Sequence, residues 1–399
     1  MLFKSLTFNL KGDKLAVSLL GAFSFNIPLD EIARFDYKLT KDPHEIILSS
    51  SAEKKFMHLV EKYMPGLISN ITGNKTIYLH QNSGIPLHGL QFIGVVDKGT
   101  DMIEIKPLTS CLLNCSFCSV GEGTETKKQV DFVVEEEYLV SELNKLLKFK
   151  LKHDKDAKGG RLSIWINPQG EPLLYSRIVD LAKDVSNLDG VKDVYIITSG
   201  VLLNQEIVDE LAKINNLHLS ISVSAYSQNK AVQLMGASYN LQHVLDNLKY
   251  AASKHIPITL THVYMKGIND EDMAELIKFS KANKGIHISI QKFCANKFGR
   301  NPIKEQSWDE FMAQLKVWEQ KFGVELIQKG EIGKTEELPK PFKKGDTTIA
   351  EVAAPGRMLK DKIAVAKERC ILLPGCNKEK GTVKVKITSA THGMYIGSC

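Results

Sequence analysis

The sequence predicts an α/β fold: a parallel sheet wrapped by helices, with a smaller unit on either side. Three observations predict it. Between about residues 100 and 325, short β-rich runs alternate with amphipathic stretches; before them the pattern has period two; after them Gly and Pro punctuate a row of short strands. The β-rich runs are MIEIKPL (102–108), RLSIWI (161–166), DVYIIT (193–198), LHLSISVS (217–224), PITLTHVYM (257–265) and IHISIQKF (286–293). The stretches 135–151, 175–188, 204–214, 241–254 and 271–283, and a sixth, SWDEFMAQLKVWEQKFG, after the last run, carry apolar residues every three or four positions, as helices with one buried face do. Six strands alternating with six helices imply right-handed βα units around a parallel sheet, either doubly wound or a partial (β/α)6 barrel. In both, the active site lies at the C-terminal ends of the strands.

The flanks read differently. LTFNL and KLAVSLLGAFSFNI alternate as strands do, and SAEKKFMHLVEKYM (51–64) has helical spacing, so residues 1–95 form a small α+β domain. The core then spans 96–328. KGEIGKTEELPKPFKKGD, rich in Lys, Glu, Pro and Gly, supplies a linker at 329–341. From 342 to 399 come TTIAEVAAPG, DKIAVAKERCILLP and GTVKVKITSATHGMYIG, the pattern of a small closed β-barrel.

Composition bounds the function. With 43% hydrophobic and 25% charged residues among 399, the chain is ordinary globular material for two or three domains. No apolar run approaches the roughly 18–20 residues of a membrane helix. The N-terminus alternates instead of showing a signal peptide's apolar stretch, which places the protein in the cytoplasm. Residues 340–399 hold twelve Lys or Arg against five Asp or Glu, a net +7, so the overall +6 leaves about −1 for the rest. A basic tail on a near-neutral host points to a polyanion-facing surface. The lysines of KLLKFKLKHDKDAKGGR (145–161) would extend such a track or form a solvated face.

Cysteine usage is the sharpest signal. Three of seven lie in TSCLLNCSFCSVGEG, at Cys111, Cys115 and Cys118, directly after the first core strand. An odd count with a cluster and no secretion signal argues for reduced thiols and metal ligation over disulfides. A structural zinc site wants four ligands, commonly from two Cys-x2-Cys knuckles, and a second knuckle is absent. Three thiolates suit a [4Fe–4S] cluster that leaves one iron open to a ligand.

The Cys-x3-Cys-x-Phe-Cys spacing after the first strand of a (β/α)6 unit resembles the radical S-adenosylmethionine (SAM) superfamily, in which three cysteines hold the cluster and SAM chelates its unique iron. NPQGEPLLY (167–175), after the second strand, looks like the family's Gly-Gly-Glu segment, and the resemblance gives Gln169, Gly170 and Glu171 the methionyl amino group. ITSGVLL (197–203) is similar to the third-strand Thr-Asn-Gly-x-Leu-Leu stretch, with Ser199 in the asparagine position. LSISVSAYSQNKAVQLMG (219–236) resembles the fourth-strand ribose and carboxylate region, implying contacts from Ser222 and Ser224. Phe117 and backbone near Val263 and Gln291 would lie by the adenine. Asn167-Pro168 stands where the family has a glycine-rich start. The resemblance implies a partial (β/α)6 barrel, an enzyme that reductively cleaves SAM to methionine and a 5′-deoxyadenosyl radical, and an electron donor such as a ferredoxin or flavodoxin.

The segment 342–399 is similar to a TRAM domain, an OB-like RNA-binding barrel, through KVKIT and a terminal His-x-x-Tyr-Ile. This similarity implies phosphate contacts from Lys343, Lys344, Arg357, Lys360, Lys362, Lys384 and Lys386, and base stacking by His392 and Tyr395. Methylthiotransferases join the same two parts but carry three further N-terminal cysteines, and residues 1–110 here have none. Cys370, Cys376 and Cys399 read as buried small hydrophobes; Cys294, after the sixth strand, is either core or a hydrogen-atom donor to substrate. In arrangement the chain resembles archaeal-type Fe–S oxidoreductases of the superfamily. The expected substrate is an RNA nucleoside, in tRNA by this reading; the alternatives are a protein or small metabolite, or a non-catalytic zinc-stabilised RNA-binding protein.

Overall fold

The computed structural model describes residues 1–153, 162–327 and 332–399. Six parallel strands stand side by side in chain order: Met102–Lys106, Leu162–Ile166, Val191–Thr198, Leu217–Ser222, Ile258–Tyr264 and Ile286–Lys292. A doubly wound sheet would reverse its strand order part-way across. The unbroken order is that of a partial (β/α)6 barrel, the second of the two architectures the sequence allows. Side chains alternate along each strand. Leu162, Ile164, Ile166, Val194 and Ile196 are fully buried under the helices, which answer with stripes such as Leu139, Leu143, Leu146 and Leu147. Each such leucine contributes about 1.5–3 kcal/mol by leaving water. Trp165 and Tyr195 take the opposite, concave face.

The short strand Gly94–Asp97, absent from the sequence reading, pairs antiparallel with the first core strand and covers its edge. The N-terminal sheet runs Leu6–Lys11, Lys14–Leu19, Phe23–Pro28, Ile68–Ser69, Lys75–Leu79 and finally Val130–Val134. That last strand comes from the far end of the cysteine loop and lies parallel to Lys75–Leu79. The hydrophobic core is accordingly continuous from the N-terminal sheet into the half-barrel.

The expected linker is partly outside the described residues. Its described portion is anchored: the Thr335 amide donates to Gly99 O at 2.9 Å, and buried Lys150 donates to Thr335 Oγ1 at 2.7 Å and Glu336 O at 2.8 Å. Residues 154–161 of the lysine-rich stretch also lie outside the described residues.

Thr347–Pro355, Lys362–Ala366, Arg369–Leu373, Gly381–Ser389 and Tyr395–Ser398 close into a five-stranded barrel with its own core. Three sequence expectations fail here. Tyr395 is 1% exposed and packs edge-on against Phe342 inside the barrel, so it cannot stack on a base. Arg357 is buried against Glu122 and Asp131, and buried Lys362 is held at 2.8 Å by both Glu379 oxygens, so neither is free for phosphate. Lys343, Lys344, Lys360, Lys384, Lys386 and His392 are exposed. Cys376 and Cys399 form a disulfide where reduced thiols were expected. The last strand lays Cys399 beside the turn carrying Cys376, at a Cα separation of 6.1 Å, inside the range a disulfide spans. Cys370 is buried, as read.

Candidate active site

A cleft of about 320 Å³ opens at the C-terminal ends of the core strands. Cys111, Cys115, Cys118 and Phe117 line one side; Gly170, Glu171, Ser199, Ser222, Val263 and Gln291 come from the ends of the next strands; Cys294 closes the far rim. Gln169 and Ser224 do not line it. Gln169 pairs with Thr109 in a two-residue parallel ladder, and Ser224 is buried with its carbonyl accepting from Asn269. Cys294 is exposed at the rim and not in the core.

Local geometry explains the cysteine loop. Ser110 and Gly170 approach so closely that a Cβ at 170 would lie 2.2 Å from Ser110 O, so only glycine permits the ladder that aims Cys111 into the cleft. The helix Gln228–Met235 then grips the loop: the amides of Asn114 and Ser116 donate to Met235 O and Leu234 O at 2.9 and 2.8 Å. These acceptors are orphan carbonyls of the helix's last turn. From beyond the sixth strand, Arg300 donates to Cys115 O at 3.1 Å and Glu122 O at 2.8 Å. The Glu122 amide donates to Cys118 Sγ at 3.4 Å.

Glu171 is the hub of the opposite wall. It is 2% exposed, and its Oε1 accepts from Leu173 N at 3.1 Å and Thr198 Oγ1 at 2.5 Å. Its Oε2 accepts from Ser199 N at 2.9 Å and Ser199 Oγ at 2.5 Å. All four acceptor positions are filled. An incoming ammonium must displace one donor; Thr198 and Ser199 both line the cleft, and the Ser199 hydroxyl is the more exposed of the two. On the concave face of the sheet, outside the residues that line the cleft, the rings of Trp165, Tyr195 and His218 stack with centroids 4.5 Å apart at each step.

The donor set fits an iron–sulfur cluster. Burial pushes the Cys111 thiol well up, reinforced by the Glu171 carboxylate; burial and then Cys118 push Cys115 up to about 12, against the pull of Arg300. Such thiols ionise only when a cation compensates them. Among the described residues no three His, Cys, Asp or Glu side chains converge as a single ion would require. The three thiols instead line one shared cleft, large enough for a multi-iron group. The sequence reading missed Arg300, Thr198 and the Glu122 amide. Thr198, beside Ser199 in ITSG, and Glu122, inside TSCLLNCSFCSVGEG, stood in stretches it singled out; Arg300 did not.

The family model described as "Radical SAM superfamily" matches residues 105–280. An uncharacterized protein of Methanocaldococcus jannaschii is 31% identical over 354 residues, 80% of this chain and 80% of that one. The GTP 3′,8-cyclase of Aquifex aeolicus is 26% identical over 195 residues, 48% of this chain and 56% of the cyclase. Among solved structures, Streptococcus suis SuiB bound to S-adenosylmethionine aligns with a TM-score of 0.43 at 16% identity, covering 81% of this chain and 70% of that one. No helix among the described residues is long and apolar enough to cross a membrane.

Proposed function

This chain belongs to the radical SAM superfamily, and we propose that it uses SAM cleavage to modify an RNA nucleoside presented by its C-terminal barrel. It is an enzyme whose family works with a [4Fe–4S] cluster, SAM and an external electron donor. The observation that carries the reading is the single cleft shared by Cys111, Cys115, Cys118, Glu171, Ser199, Ser222, Val263 and Gln291 at the C-terminal ends of the strands. Cys111, Cys115 and Cys118 are the cluster ligands in this reading. When bound, cluster and SAM supply a 5′-deoxyadenosyl radical for hydrogen abstraction. The chain's own residues orient and shield. Glu171 and Ser199 receive the amino group, Ser222 faces the ribose, and Phe117, Val263 and Gln291 border the adenine. Exposed Cys294 stands where a thiol can return a hydrogen atom to substrate.

The RNA assignment rests on the barrel. Lys384 and Lys386 project from one strand face; with Lys343, Lys344 and Lys360 they have no acidic partner among the described residues, and His392 is exposed nearby in sequence. Unneutralised lysines of this kind are what phosphate binding uses. A second reading keeps the chemistry and takes a small nucleotide, favoured by the similarity to the cyclase. The test is 5′-deoxyadenosine release by reconstituted, reduced protein with SAM, with and without tRNA. Stimulation by tRNA supports the RNA reading; release stimulated only by free nucleotides replaces it with the second. A full cluster without release defeats both.

A further inference from the structure

The barrel reaches into the cysteine loop through one side chain. Arg357, just past the strand Thr347–Pro355, lies 4% exposed between Glu122 and Asp131. Its guanidinium forks onto Glu122, with Nη1 on Oε1 and Nη2 2.9 Å from Oε2, and the same Nη2 is 3.1 Å from Asp131 Oδ1. Lys128, also buried, adds its ammonium to Glu122 Oε1 and to the Val120 carbonyl. Two cations and two carboxylates thus form a closed, charge-balanced group out of water. The loop hangs from it at both ends. Thr109 donates to Asp131 Oδ1 at 2.9 Å just before Cys111, and Glu122 follows Cys118, whose sulfur accepts from the Glu122 amide. The Arg357 carbonyl also accepts from Gln129 N at 2.8 Å.

We infer that Arg357 is a positioning residue for the cluster-binding loop, fixing the Glu122 amide against the Cys118 sulfur. The barrel is thereby part of the cluster's outer shell as well as a recruiter of substrate. This rests on the three cysteines holding the cluster. A hydrogen bond to a ligand sulfur and a nearby cation both favour the reduced cluster, so losing them lowers its potential. A bidentate guanidinium is not replaced by an ammonium, which keeps the charge but only one contact.

The experiment compares the full-length reconstituted protein with Arg357→Met and Arg357→Lys. It reads the cluster's midpoint potential by redox titration and its iron loss to a chelator. Arg357→Met is expected to move the potential negative and to speed iron loss by roughly 10–100-fold, with Arg357→Lys falling between it and the wild type. If Arg357→Met does not fold, Arg357→Lys is read alone, and a displaced potential in folded protein supports the assignment. Wild-type potential and iron retention in a folded variant overturn it, whatever the melting temperature does. A wild type that binds no iron overturns this inference and the cluster assignment together, and so is distinct from the first failure.

Discussion

Between Thr109 and Asp131 the buried charges of Glu122, Lys128 and Asp131 are all paired, Arg300 donates to the loop's carbonyls, and the loop's own Glu122 amide donates to a sulfur. On the outer face of the C-terminal barrel, Lys384 and Lys386 stand in water with no acidic partner among the described residues. Burial turns charge into a holder, because an unpaired ion out of water is prohibitively costly. Exposure leaves charge available to a partner that arrives later. Arg357 shows that composition does not separate the two. It belongs to the same basic segment as Lys384, yet it serves the loop.

The comparison breaks most severely at the cysteines. Replacing Cys111, Cys115 or Cys118 by Ala should remove cluster iron and abolish 5′-deoxyadenosine formation, whereas no single barrel lysine should do either; iron per chain and product release decide. Glu171→Ala comes next. It strands the Leu173 and Ser199 amides and two hydroxyls, each unmet buried donor costing about 1–3 kcal/mol, and should weaken SAM binding roughly 10–100-fold. Calorimetric SAM titration and a thermal melt check both parts.

A pH effect of about 3 kcal/mol follows from His262. Burial lowers its pKa from 6.5 to about 4, and its Nδ1 faces Val223 O at 2.8 Å. The unfolded chain takes up the proton first, so this stability is complete above about pH 6.5 and drains as pH falls toward 4. Urea midpoints at pH 7 and 5 should therefore separate, and His262→Gln should narrow the gap. The smallest stability effect belongs to the barrel face. Lys384→Glu and Lys386→Glu should shift unfolding free energy by less than about 0.5 kcal/mol. Each should also lower the salt slope of RNA binding by about 0.7–0.9. A large stability loss would show that these lysines, too, hold structure.

Legibility followed the same division. The six core strands and their helices carry strong periodicity, because one face of each is buried along its whole length, so their succession along the chain could be read directly; the strand order within the sheet could not, because pairing is not local. The cysteines, Glu171 and Ser199 stood out since they follow strands at fixed offsets. Gly94–Asp97 was too short to show a period, and Val130–Val134, buried at all five positions, has no alternation to detect. Arg300 and Arg357 act through contacts across 185 and 235 residues of chain, which no local pattern encodes. Tyr395 and Lys362 were misread because facing in or out of a small barrel depends on registers that Gly- and Pro-rich turns set.

The most direct test of the central claim is 5′-deoxyadenosine release at rising tRNA concentration, wild type against the Lys384→Glu/Lys386→Glu double variant, both with a full cluster. The account predicts tRNA stimulation in the wild type, a rightward shift of that curve in the variant, and equal release without RNA. Stimulation that is identical in the two proteins, or absent from both, would contradict delivery of RNA by the barrel.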